Sequence, residues 1–128
     1  MRIVFTDVPA AAPALNAVLE GLTALDAVLL AASERKPSLY EQGVRYEPEP
    51  RGQEDWVNVR GVYRRRRGDC EDLAALRAAE LRVYEGEPAR AVAYPSRRGP
   101  GKFHAVVLRA DGSIEDPSRL LGMGDKAA

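Results

Sequence analysis

Gly68-Asp69-Cys70-Glu71-Asp72-Leu73-Ala74-Ala75-Leu76 decides how this chain is read. Asp69 is a strong N-cap residue, and Asp72, three positions on, completes a weak capping box. A helix therefore starts at Cys70. Leu73, Leu76, Ala79 or Glu80, and Val83 follow at helical spacing, and Gly86 and Pro88 stop the run. Cys70 is the only cysteine, so no intramolecular disulfide forms. A cysteine at the first helical position faces free backbone N–H groups and the positive end of the helix dipole, and both favour the thiolate. The upstream run Arg64 to Arg67 adds positive potential, while Asp69, Glu71 and Asp72 oppose it. The plain alternative is a buried cysteine acting as a small hydrophobe.

Downstream, Arg90–Tyr94 and Phe103–Leu108 read as two strands joined by the loop Pro95 to Gly101. Asp111-Gly112 is a hairpin turn, so Ser113 to Asp116 reads as a short third strand antiparallel to the second. The second strand carries His104, the only histidine. Asp116 follows twelve positions later across the turn, which brings it beside His104. Such a carboxylate accepts an imidazole N–H and fixes the tautomer, and the imidazole in turn takes a thiol proton. Each signal has a bland alternative: a core or edge histidine, and a turn aspartate before Pro117.

Upstream, Pro13 suits a first helical turn. Leu15, Val18, Leu19, Leu22, Leu25, Val28 and Leu29 make one apolar stripe, with a stop near Lys36 before Pro37. Met1 to Val8 reads as a strand or a tail, and the end after Met123 as a frayed tail. Leu39 to Arg60 has no clean period and carries Gly43, Pro48, Pro50 and Gly52, so it reads as a loop wrapped over the core. The arginine run reads as a solvated loop leading into the Cys70 helix, with binding of nucleic acid or of an acidic partner as the alternative.

Composition sets outer bounds. A chain of 128 residues fits one domain, 1–128, with an N-terminal strand or tail and helix over 1–36 and a core over 39–123. Nineteen basic and nineteen acidic residues give zero net charge, which argues against a nucleic-acid binder. The N-terminus lacks a signal-peptide pattern, and Leu22 to Ala32, interrupted by Asp26, is too short to span a bilayer, so a cytoplasmic protein is expected. A structural zinc site wants four Cys or His ligands, and one of each exists, so neither a metal nor another cofactor is expected. No EF-hand-type calcium loop is present.

Taken together, Gly68 to Leu76, Phe103-His104-Ala105-Val106-Val107 and Ile114-Glu115-Asp116-Pro117-Ser118 resemble the transglutaminase-like superfamily of papain-like thiol enzymes. The likeness is greatest to the small members encoded by bacteriophages and prophages, and it covers roughly 39–123. The resemblance implies an α+β core in which a helix bearing the Cys packs on a small antiparallel sheet bearing the His and Asp. It implies Cys70 as nucleophile, His104 as base and acid, and Asp116 as orienter. The oxyanion donors are not fixed by a motif. Trp56 and Gln53 are the side-chain candidates, beside the Cys70 backbone N–H. The expected activity is acyl transfer through a thioester, by amide or ester hydrolysis or by transamidation, on a protein or peptide substrate. The alternative is a catalytically silent interaction module, such as a phage assembly or accessory protein.

Overall fold

The computed structural model describes residues 8–49, 56–96 and 102–124, with side chains from 13 onward. Helix α1 spans Val8–Ala31 and is followed by a 3-10 turn, Leu39–Glu41. Then come β1 Arg45–Tyr46, α2 Val59–Arg65, β2 Arg67–Gly68 and α3 Cys70–Glu85. The chain continues through β3 Arg90–Pro95, β4 Phe103–Leu108, β5 Ile114–Glu115 and α4 Pro117–Leu120. The molecule is a mixed α+β fold with helices packed on a small antiparallel sheet ordered β3-β4-β5. A second, two-residue parallel pair joins β1 to β2.

Helix α3 is the centre of the packing. Its Ala74, Ala75 and Ala78 let the helix approach the sheet closely and share a buried cluster with Ala91, Ala105 and Val107 of the strands and Leu15, Leu19 and Leu22 of α1. The opposite face, Leu73, Leu76 and Ala79, meets Leu39, Val44, Val59, Val62 and Leu121. Full burial of a leucine side chain contributes about 1.5–3 kcal/mol, so burial on both faces fixes α3 on all sides.

The helix α3, its capping box and the left-handed Gly86 cap are found as the sequence reads, as are β3 and β4. Other elements differ. Helix α1 begins at Val8, so Pro13 lies inside it rather than in its first turn. Pro13–Ala31 is consequently long and apolar enough to cross a membrane by length and composition. Its buried residues include Leu15, Leu19, Leu22, Thr23, Asp26 and Leu30, while Leu25 and Val28 of the expected stripe face outward. The helix is turned this way because Asp26 is drawn inward: its Oδ1 accepts the Val59 backbone N–H at 2.8 Å, at the start of α2. The helix ends at Ala31, with the Ser33 hydroxyl bonded to the Leu29 and Leu30 carbonyls, short of Lys36. The arginine run is not a loop. Arg64 and Arg65 close α2, Arg66 takes a left-handed conformation (φ 58°), and Arg67 opens β2. Local propensity gave no sign of α2, whose first-turn N–H groups are satisfied by Asn58 and Asp26. Expectations for residues 1–7 and 125–128 lie outside the described residues.

Asp26 has no exposed surface, and its Oδ2 has no hydrogen-bond partner among the described residues. Burial pushes its carboxyl up to about 7, against the pull of the Val59 N–H. The folded value lies above the unfolded one of about 3.9. The stability this proton contributes is therefore complete below about pH 4 and is lost as pH rises through about 7. Asp26→Asn keeps an acceptor for Val59 and removes the charge. In thermal melts it should be clearly more stable than the native protein at about pH 8 and close to it at about pH 4. An equal difference at both pH values would contradict this assignment.

Candidate active site

The head of α3 is built by two carboxylates. Asp69 Oδ1 accepts the Cys70 N–H at 2.7 Å, and Oδ2 accepts the Glu49 N–H at 2.9 Å. Asp72 Oδ2 accepts the Asp69 N–H at 3.2 Å, and Oδ1 accepts the Val57 N–H at 2.7 Å. Burial pushes the Asp72 carboxyl upward, and these donors pull it back. The capping box thus also ties down Glu49 and Val57, from the segments upstream of α2.

Cys70 is buried at the junction of α3 and β4. Strand β5 pairs only with Val107 and Leu108, so among the described residues no strand pairs with β4 on that side at His104 and Ala105. There the Ala105 backbone works to lower the pKa of the Cys70 thiol. Stronger influences act the other way: burial first, then the charges of Glu71 and Asp69, hold the thiol well above its ordinary range. The Sγ–H donates to Glu71 Oε2 at 3.3 Å, and Glu71 is itself buried. The opposition between helix start and acidic neighbours is therefore resolved in favour of the neutral thiol.

His104 is buried on β4, with its Nε2 2.8 Å from Asp116 Oδ2. Tyr94, its register partner on β3, meets the ring edge-on at a centroid distance of 5.7 Å. An ionised Asp116 requires the hydrogen on Nε2 and leaves Nδ1 as the proton acceptor. Asp116 does not lie in a strand, as the sequence suggested. It follows β5 as the N-cap of α4, because Pro117 ends the ladder and starts the helix. Arg119 Nε also approaches Asp116 Oδ2, at 3.5 Å.

The candidate residues are thus brought together unequally. His104 and Asp116 form a direct pair. Cys70 reaches the same strand through Ala105, but among the described residues its hydrogen goes to Glu71 and no hydrogen bond joins it to His104. The Cys70 N–H is occupied by Asp69, which removes it as a free oxyanion donor. Trp56 is buried in the same cluster as Cys70, Phe103 and Ala105, and its Nε1 has no hydrogen-bond partner among the described residues. Gln53 lies outside the described residues. Ligand atoms of Asp69, Cys70 and Glu71 lie within 4.8 Å of one another, but hydrogen bonds to Cys70, Glu49 and the thiol already account for their arrangement.

One group has no counterpart in the sequence reading. Glu115, the residue before Asp116, accepts from Arg77 Nε at 2.7 Å, from Arg109 at 2.6 Å and from the Tyr40 hydroxyl. Burial works to raise its pKa, but Tyr40, Arg77 and Arg109 outweigh it and hold it low. Arg77 continues to Glu80, and Arg109 to Glu87. A two-residue strand has little ladder of its own, so this network anchors β5 to α3 and sets where Asp116 falls. Such a cluster depends on contacts 38 and 75 positions apart, which no local pattern announces.

No family model, curated protein or solved structure matches this chain.

Glu115→Ala takes one carboxylate from two partly buried guanidiniums, which keep Glu80 and Glu87, and removes the acceptor of the Tyr40 hydroxyl. In urea titrations it should lower unfolding free energy by about 1–3 kcal/mol. Glu115→Gln, which keeps an acceptor, should lose less. A loss under about 0.5 kcal/mol, the size of an ordinary surface change, would show that the network does not hold β5.

Proposed function

We propose that this protein is a thiol acyl-transfer enzyme with a papain-like, transglutaminase-like core, acting through Cys70, His104 and Asp116. The observation that carries the reading is the His104–Asp116 pair at 2.8 Å, its histidine buried and its aspartate half-buried, on the strand whose next residue, Ala105, shares a core cluster with Cys70. A buried imidazole with its Nε2 fixed by a carboxylate has one free nitrogen to exchange a proton. The motif order across the three segments supports the same reading.

In the proposed reaction, His104 Nδ1 takes the Cys70 proton as the sulfur attacks an amide or ester carbonyl. The carbonyl oxygen becomes an oxyanion. The Trp56 indole N–H, buried beside Cys70 without a partner, is the donor suited to it. Collapse expels the amine or alcohol, which leaves with the proton from His104, and a Cys70 thioester remains. Water or an amine then attacks the thioester, gives its proton to His104, and releases the acyl group as acid or new amide. The thiol is restored. Asp116 accepts the Nε2 hydrogen throughout and stabilises the imidazolium.

A second reading, an interaction module that retains the triad without using it, draws on one observation. The resting thiol is neutral and bonded to Glu71. A base acting during the attack does not need a resting thiolate, so this observation alone does not favour silence.

The two readings separate with p-nitrophenyl acetate. The native protein should carry an acetyl group on Cys70 by intact mass and release more than one equivalent of nitrophenolate. His104→Ala should be slower by about 10² or more, and Cys70→Ala should show only background. Equal rates in the native protein and His104→Ala would contradict the enzyme reading.

A further inference from the structure

Ion pairing divides the arginines of this protein into two classes. Among the described residues, Arg35, Arg67, Arg77, Arg82, Arg109 and Arg119 each have a carboxylate partner. Arg45, Arg60, Arg64, Arg65 and Arg66 have none, and all five are exposed. Elsewhere among the described residues Lys36, Arg90 and Lys102 share that condition, each on its own. In a protein with equal numbers of acidic and basic residues, this is a concentration of unneutralised charge on one face.

The fold makes the cluster continuous. Arg60 and Arg64 are four positions apart on the exposed side of α2. The left-handed turn at Arg66 carries the run into β2, where Arg67 is the register partner of Arg45. Arg66 donates to the Gln42 carbonyl at 2.9 Å, which orders the side chain without neutralising it. The position of Arg64 and Arg65 at the end of α2 suits the helix dipole, but this does not call for Arg45 or Arg60.

The ridge runs directly into the candidate site. Three peptide steps separate Arg67 from Cys70, so their Cα atoms are no more than about 11 Å apart. The thiol itself lies among carboxylates: Glu71 bonds the sulfur, and Asp69 bonds the Cys70 N–H. A substrate carboxylate is therefore repelled at the reacting position and attracted a few residues away.

We infer that the Arg60–Arg67 ridge, with Arg45, is a docking surface for an acidic stretch of the polypeptide substrate, flanking a neutral reacting residue on the Arg67 side. The word substrate here rests on the acyl-transfer reading. Arginine forks suit carboxylates, which they bind in bidentate fashion. A nucleic acid fits less well. The segment offers no exposed aromatic platform, since Trp56 is buried and Tyr46 and Tyr63 are half-buried. A long polyanion also meets the compensating negative charge over the rest of this neutral protein.

The test is fluorescence anisotropy with a labelled decapeptide of alternating glutamate and glycine, read against a labelled ten-nucleotide oligo-dT. The full chain is compared with Arg64→Glu/Arg65→Glu, whose exposed positions allow folding to be checked by circular dichroism. The peptide should bind the native protein and weaken about tenfold or more in the variant. It should also weaken as salt rises from about 50 to about 200 mM, and bound peptide should slow Cys70 alkylation. Binding indifferent to the double reversal overturns the docking surface. Tighter binding of oligo-dT overturns the choice of partner, and peptide binding that leaves alkylation unchanged overturns the link to the site. Anisotropy does not depend on a working thiol, so His104→Ala should bind the peptide as the native protein does even if the acyl-transfer reading fails.

Discussion

The Asp69 and Asp72 carboxylates at the head of α3 are the constraint on which the rest of the site depends. Between them they accept five backbone N–H groups, from Cys70, Glu49, Asp69, Asp72 and Val57. A single N-cap is worth about 1 kcal/mol, and here the cap also joins two segments that have no sheet of their own. The buried Trp56 is held in place by the residue next to it. The same arrangement puts negative charge beside the one thiol. Structural need and chemical need pull in opposite directions at Cys70, and the pull of burial and carboxylates prevails at rest.

This gives the site an uneven character. The His104–Asp116 pair is assembled with its histidine buried, and β5 is anchored from behind by Glu115, Arg77 and Arg109. The Cys70 thiol is kept neutral by its burial first and then by the charge of Glu71. On the proposed reading, the proton passes from sulfur to imidazole only as the attack develops, so the enzyme carries no standing thiolate to be oxidised or alkylated. Glu71 and His104 then compete for the same hydrogen.

The parts of this arrangement that were legible in the sequence are those written in neighbouring residues. Asp69, Cys70 and Asp72 announce a capped helix, and the apolar runs around Val92 and Val106 announce two strands. Asp111-Gly112 announces a turn, and Asp116 twelve positions after His104 follows from that turn. The illegible parts rest on distant partners. The rotation of α1 depends on Asp26 reaching Val59, and α2 is capped from another helix as well as by Asn58. The short β1–β2 pair is too brief to leave a pattern. Whether Glu71 would point to solvent or to the sulfur was undetermined by its place in the helix. The acidic neighbours of Cys70 were visible as a counterweight to the dipole, but their weight depends on burial.

The pH dependence of Cys70 alkylation by iodoacetamide tests this account most directly, because the chain has one cysteine and intact mass reads it without ambiguity. The account predicts a native thiol whose apparent pKa lies above the ordinary value of about 8.5, a downward shift of that midpoint in Glu71→Gln, and loss of that gain when His104→Ala is added. A native midpoint below the ordinary thiol value, or one that Glu71→Gln leaves unmoved, would contradict it.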